Sequence, residues 1–277
     1  NDGFCARFGA DRFICIQEWK KGNQNRQFIN RIKAELLVHM KNVLIRWGIY
    51  EILDRTVPVE HMCDRALLAA NSIKGQYNQY IAVYDDELRN KLLREKAITD
   101  AMEDALKYEQ FEVYLQPKYS LQDNRMIGAE ALVRWIHPEW GFMSPGEFIP
   151  LFEKNGFIPK LDRYVWERVC AQLKKWRDAG YPLPVVSVNV SRSDIYQLEL
   201  VDILLKMTEK YDIEPQFLHL EITESAYVEN PDQITDTIKE LRKLGFVVEM
   251  DDFDSGFSSL NMLSRVPLDI LKLDMKF

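Results

Sequence analysis

The sequence predicts an α/β fold in which strands alternate with helices and close into a barrel, preceded by a smaller α+β region. Three observations carry this reading. From Phe111 onward, short apolar runs alternate with amphipathic helical stretches, the pattern of a parallel sheet with covering helices. Polar residues stand where successive apolar runs give way to loops: Glu130 after 126–129, Asn189 after 185–188, Glu221 after 217–220, and Asp251 with Asp252 after 246–250. The steps from 189 to 221 and from 221 to 251 are about one strand-helix-strand unit each. A barrel of such units gathers the carboxyl ends of its strands at one mouth, and polar residues at each strand end favour closure over an open sheet. Five oxygen ligands then converge with Lys272, from the run 269–274, on one point. That is a candidate metal site.

Taken in order, residues 12–16 and 43–50 read as strands. Residues 26–40 read as a helix with Phe28, Ile32, Leu36 and Met40 on one stripe. Residues 86–107 are charged and helical, a linker carrying Leu88, Leu92, Leu93, Ile98, Met102 and Leu106. Strands are then expected at 112–116, 126–133, 185–189, 217–222, 246–251 and 270–274. A helix at 161–179 stops before Gly180, and another at 232–244 points Ile234, Ile238 and Leu241 inward and stops before Gly245. The organisation is 1–85, a first domain; 86–107, the linker; and 108–277, the barrel.

Composition narrows the function. Of 277 residues, 47% are hydrophobic and 29% charged, the balance of a soluble globular protein. A net charge of -7 argues against a general DNA or RNA surface. A small anionic substrate remains compatible once cations are bound locally. Cys5, Cys15, Cys63 and Cys170 show no CxxC pair or zinc spacing, and read as reduced core thiols of a cytoplasmic protein. No apolar run approaches the ~20 residues of a membrane span, and no signal peptide is present. The chain starts abruptly, so an anchor further upstream is left open.

A series of ordered motifs from residue 111 onward resembles the EAL family of cyclic di-GMP phosphodiesterases. They are Glu130-Ala131-Leu132 within 130–138, Tyr114-Leu115-Gln116-Pro117, 144–150, Val188-Asn189-Val190-Ser191 and 220–225, then Asp251-Asp252-Phe253 with Leu271-Lys272-Leu273-Asp274. Residues 1–85 resemble the later part of a GGDEF (diguanylate cyclase) domain. The signature loop reads Phe8-Gly9-Ala10-Asp11-Arg12-Phe13, and 64–70, Lys74-Gly75 and 80–84 also fit. Alanine replaces the second glycine and Arg12 replaces the acid, and Gly3 stands where an inhibitory-site aspartate would be. The resemblance therefore implies a degenerate domain without synthesis or product inhibition, with GTP as a candidate effector and a homodimer as the expected assembly.

The EAL resemblance implies a TIM-like (β/α)8 barrel that hydrolyses cyclic di-GMP to linear pGpG with two divalent ions, Mg2+ or Mn2+. Paired cations supply a strong nucleophile and absorb phosphoryl charge, and all-oxygen ligands select hard ions. By resemblance, Glu130, Asn189, Glu221 and Asp251 hold one metal, and Asp252 with Asp251 helps hold the second. Glu130, Asp252 and Lys272 are the catalytic residues. Lys272 orients or deprotonates the water, and a cation beside metals should have a depressed pKa. Glu224 anchors the loop 253–259. Arg134 binds a substrate phosphate as a bidentate donor, and Gln116 and Leu132 line the nucleotide pocket.

Blander readings stand beside these. Paired acids often cap a helix, Lys272 could face outward, and Arg134 could serve a structural ion pair. His137 before proline reads as a packed turn, and Trp135, Trp140, Trp166 and Trp176 as core or rim. The family usually has glycine where Asp254 stands, and two further site residues, a glutamate and a glutamine, beyond Phe277. With 167 residues against the ~250 typical of the architecture, the barrel is expected to be incomplete. As given, the chain is expected to be poorly soluble or inactive. Asp254 keeps a second reading open: a receptor that binds cyclic di-GMP without turnover.

Overall fold

The computed structural model describes residues 3–9, 11–18, 29–30, 34, 44–76, 78–197, 199–223, 226, 231–253 and 266–273, without the side chain of Asp252. The chain forms two compact units, Asn1–Lys96 and Ala97–Phe277. No helix among the described residues is long and apolar enough to cross a membrane.

In the first unit, β1 (Gly3–Arg7) and β2 (Phe13–Gln17) form an antiparallel hairpin around the signature loop. Cys5 lies opposite Cys15, their sulfurs 2.7 Å apart. Both cysteines are exposed and only Cys170 of the four is buried, which corrects the expectation of core thiols. A two-stranded hairpin has no layer to bury either face, so even β-favouring side chains stay in water. The expected helix at 26–40 lies almost wholly outside the described residues.

β3 (Trp47–Tyr50) and β4 (Ile81–Tyr84) pair in parallel, with α1 (Val59–Ser72) as their crossover. Gly48 lets helix and strand touch: a Cβ there would sit 1.8 Å from the Ala66 carbonyl oxygen and 2.5 Å from the Ala70 nitrogen. Backbone atoms cannot step aside as a side chain can. Gly48→Ala is expected to destabilise this unit by about 3 kcal/mol. Limited proteolysis should show the first unit cut before the second, and equal resistance in variant and wild type would contradict the close packing.

The charged stretch forms α2 (Asp86–Lys107), as its pattern predicts. The second unit follows with β5 (Phe111–Tyr119), β6 (Met126–His137), β7 (Gly141–Met143), α3 (Pro145–Asn155), α4 (Ile158–Asp178), β8 (Val186–Asn189), α5 (Arg192–Ile195), α6 (Leu200–Tyr211), β9 (Leu218–Thr223), α7 (Pro231–Lys243), β10 (Val247–Phe253) and β11 (Ile270–Leu273). The strand order is β11-β10-β9-β8-β6-β5, with β7 paired to β6. β6, β8, β9, β10 and β11 run parallel in series. β5 departs from the expected parallel pattern and pairs antiparallel with β6. Its connection, residues 120–125, is a hairpin length, whereas a parallel crossover needs a dozen or more residues.

One face of the sheet is covered by helices. Leu161, Val165, Trp166, Val169, Cys170 and Leu173 of α4 are buried at helical spacing. With Ile234, Ile238 and Leu241 of α7, they join Ala131, Trp135, Val186, Val188, Leu218, Leu220, Ile222, Val248 and Met250 in one core. Trp135 and Trp166 are fully buried, while Trp140 and Trp176 pack at the margin. His137 stacks on Trp140 at 3.7 Å, and its Nδ1 accepts the backbone N–H groups of Glu139 and Trp140. It is a packed turn, as read. α3 begins with Pro145 after Ser144, whose backbone N–H donates to Glu147 in a capping box.

The closed barrel is met only in part. Among the described residues the sheet ends in two edges, β5 and β11. It is nonetheless strongly curved. Lys118 on β5 reaches Glu249 on β10, and Lys272 on β11 reaches Glu130 on β6, both by direct hydrogen bonds. Each pair is four strand spacings apart, about 19 Å on a flat sheet, far beyond the reach of a lysine. The sheet must wrap around a common interior.

Candidate metal centre

The uncovered concave face carries the site. Side chains alternate across a strand. On β6, Ala129, Ala131 and Trp135 go to the helices and are buried, which leaves Glu130, Leu132 and Arg134 on the concave side, partly buried. On β9, Leu218, Leu220 and Ile222 go to the core and Glu221 to the interior. On β10, Val248 and Met250 likewise leave Glu249 and Asp251 facing inward.

Glu130, Glu221 and Asp251 each present a carboxylate oxygen, and these atoms all lie within 4.8 Å of one another. The Lys272 ammonium sits among them, 3.0 Å from one oxygen of each. This disposes of the outward-facing alternative for Lys272. The expected depression of its pKa belongs to the metal-bound site; among the protein's own groups the shift runs the other way. Burial opposes the ammonium charge, but hydrogen bonds and charge from Glu221, Glu130 and Asp251 outweigh it and raise the pKa. The lysine is a firmly held cation. The depressed value presupposed neighbouring cations, whereas its protein neighbours are acids.

A second layer lies beneath. Lys118 donates to Ser187 Oγ, Glu221 Oε1 and Glu249 Oε2, each at 2.7 Å. Ser187 Oγ donates to Glu249 Oε1 at 2.9 Å, and His219 Nδ1 lies 2.6 Å from the same oxygen. Burial alone would raise the Glu249 pKa, but His219 and Lys118 reverse that and lower it. Glu221 moves the other way: burial and the charge of Glu130 raise it against the two lysines. Four carboxylates (Glu130, Glu221, Glu249, Asp251) thus meet two ammonium groups (Lys118, Lys272), a formal excess of two negative charges before His219 is counted. An excess of that sign, on oxygen donors, fits a hard divalent cation.

The remaining predicted residues divide. Asn189 is exposed at the end of β8, in register with Glu221, and Gln116 is exposed on β5, directly across from Glu130. Leu132 and Arg134 continue the face of Glu130. The Arg134 guanidinium lies over the Tyr114 ring at 5.8 Å and donates to the Val133 carbonyl at 2.8 Å, outside the carboxylate cluster. Glu224, Asp254 and the side chain of Asp252 lie outside the described residues. Lys118, Ser187, His219 and Glu249 were missed. Their signal was present: Ser187, His219 and Glu249 each precede an expected ligand by two, and Lys118 follows Gln116 by two, so strand alternation puts each on its neighbour's face.

Behind Asn189, the Trp166 indole donates to the Asn189 carbonyl at 2.9 Å. The Ser191 N–H donates to Asp162 at 3.2 Å, and the Ser191 hydroxyl pairs with Asp194. Burial, then the bond and charge of Asp194, push Asp162 well above the usual 3.8. The folded state therefore keeps a proton the unfolded chain loses, so stability falls as pH rises from about that ordinary value toward the folded one. Asp162→Asn is expected to remove this group's share of the decline and raise the urea midpoint at pH 7.5 relative to pH 4.5. An unchanged pH dependence would mean that the pair does not hold the extra proton.

A family described as EAL domain matches residues 99–277. The chain is 32% identical to cyclic di-GMP phosphodiesterase NbdA of Pseudomonas aeruginosa, over 98% of this chain and 36% of that protein. It is 29% identical to the bifunctional diguanylate cyclase/cyclic di-GMP phosphodiesterase MucR of the same organism, over 98% of this chain and 41% of that one. The chain therefore spans about two fifths or less of the length of these relatives. Among solved structures, the PaMucR phosphodiesterase in complex with c-di-GMP superimposes with a TM-score of 0.61 and 35% identity, covering 64% of this chain and 72% of that one.

Proposed function

The chain belongs to the EAL domain family, and from that premise we propose that it is a metal-dependent phosphodiesterase module that hydrolyses cyclic di-GMP to linear pGpG. The observation that carries this is the convergence of Glu130, Glu221 and Asp251 within 4.8 Å, from three different strands. A phosphodiester already bears negative charge, so bare carboxylates would repel it. Divalent ions held by these three, with Asn189 and Asp252 assigned on sequence grounds, supply charge neutralisation and a nucleophile at neutral pH.

The chain's own residues do the rest. Lys272 is a fixed cation that orients the attacking water by hydrogen bonding and faces the charge that develops on phosphorus oxygens. Its ammonium is hydrogen-bonded to all three carboxylates and is assigned to orienting the water rather than to taking its proton. That task falls to Asp252, next to Asp251 on β10. Arg134, with its guanidinium over Tyr114, offers two parallel donors to a substrate phosphate; Leu132 stands next to it on the same face, and Gln116 lies across from Glu130. The water oxygen bonds to phosphorus as the bond to the ribose 3′ oxygen breaks, and that oxygen leaves with a proton.

The same reading treats the first unit as a degenerate GGDEF-like domain with GTP as an effector, and the assembly as a homodimer. Its support is the β1–β2 hairpin framing the signature positions, with Arg12 in place of the acid. The test uses the full-length protein, cyclic di-GMP, and either Mg2+, Mn2+ or a chelator. Linear pGpG should form with either metal and stop with the chelator. Binding without turnover under all conditions would reject the hydrolase in favour of a receptor.

A further inference from the structure

We propose that Lys118 is a positioning residue for the metal centre, resting on the functional reading above. It fixes Glu221 from beneath so that one carboxylate oxygen stays turned toward the cation site. Glu221 is wholly buried as a side chain, and its two oxygens have different partners. Oε1 takes Lys118 at 2.7 Å and Oε2 takes Lys272 at 3.0 Å. A carboxylate on a short strand side chain rotates about its last torsion with a broad, shallow preference. A bond to one oxygen removes that freedom for the other.

Lys118 is in turn fixed by groups that are not members of the three-carboxylate cluster. Ser187 and Glu249 each accept from it at 2.7 Å, and Ser187 and His219 lock the second oxygen of Glu249. The lysine enters from β5 while its partners sit on β8, β9 and β10, so the same bonds tie the sheet edge to the middle. Partners that orient a metal-binding carboxylate typically affect metal affinity 10–100-fold.

Charge and position must be separated. Removing Lys118 alone deletes a positive charge near the site, which favours a cation by Coulomb attraction while leaving one oxygen of buried Glu249 without its ammonium partner. The double variant Lys118→Met with Glu249→Gln removes one charge of each sign. Exchanging a buried ion pair for groups of similar size is commonly near neutral for stability, so this variant should fold, which circular dichroism and its melting temperature would verify. Glu249→Gln alone serves as the charge control.

The measurement is Mn2+ binding by the full-length protein, followed by the electron paramagnetic resonance of free Mn2+. The double variant should bind Mn2+ at least tenfold more weakly than wild type, and Glu249→Gln, which loses one nearby negative charge but keeps Lys118 in place, should be weakened less than the double variant. In turnover, its Mn2+ requirement should rise more than its KM for cyclic di-GMP. Wild-type affinity in the folded double variant would overturn the positioning role, leaving Lys118 as a neutraliser of Glu249. If it does not fold, Lys118→Met alone, folded and binding Mn2+ at least as tightly as wild type, overturns the role; loss of affinity despite the favourable charge change supports it. A wild-type protein that takes up no Mn2+ would instead sink the metal-centre reading, and this role with it.

Discussion

Glu130→Ala in the full-length protein is expected to reduce hydrolysis of cyclic di-GMP about 10³-fold or more while leaving the fold intact. Glu130 contributes one of three converging oxygens and one of the three acidic contacts to Lys272. It projects from the concave face, partly buried, away from the helix-covered core that Ala129, Ala131 and Trp135 enter. Its removal therefore creates no cavity in that core, and it strips a donor from a site whose task is to hold concentrated positive charge. A thousandfold loss corresponds to about 4 kcal/mol of transition-state stabilisation, within the several kcal/mol that metal-assisted charge stabilisation provides. The check is kcat/KM together with the melting temperature. Near wild-type turnover in a folded variant would remove Glu130 from the centre.

Lys272→Met should produce a large stability effect, and one that depends on metal. The three carboxylates share this ammonium at 3.0 Å each. Without it, Glu221, buried between them, keeps only Lys118. Breaking a buried pair on one side costs about 3–5 kcal/mol. The lower end applies here, because Lys272 and Asp251 are each 24% exposed as side chains. At roughly 2–4 °C per kcal/mol for a domain of this size, the melting temperature without divalent ions should fall by about 10 °C. Added Mg2+ or Mn2+ should restore most of it, since a cation bound to the folded state stabilises it by mass action. Turnover should remain low even with saturating metal, because the oriented donor to the water is gone. A melting temperature insensitive to both substitution and metal would mean that the carboxylates are not held together in solution.

Much of this was legible in the chain. Glu221 and Asp251 are identifiable as polar residues near the ends of apolar strand runs and Lys272 as a cation inside one, whereas Glu130, expected at a strand end, lies well inside β6. The two helices ending at Gly180 and Gly245 follow from helical spacing and from glycines that adopt φ of 78° and 94°. The hairpin between β5 and β6 was legible as well, from a connection too short for a crossover, although strand alternation alone suggested a parallel start. Arg12 in the signature loop likewise needs only the sequence. These are local properties: alternation, spacing, and the conformations a residue tolerates.

The lower layer was decided elsewhere. Lys118 lies 69 residues from Ser187, 103 from Glu221 and 131 from Glu249, and nothing local says which acids it meets. Period-two alternation puts each side chain on the concave face but is silent about its partner there. Partner choice comes from curvature, which folds about 19 Å of flat sheet into the length of one lysine. The direction of the Lys272 pKa shift among the protein's own groups is set in the same way, since its sign depends on which charges the wrapped sheet gathers around it. The sequence by itself determined which residues face the interior. The tertiary structure decided which of them touch, because strand order and sheet bending bring together groups that no spacing along the chain relates.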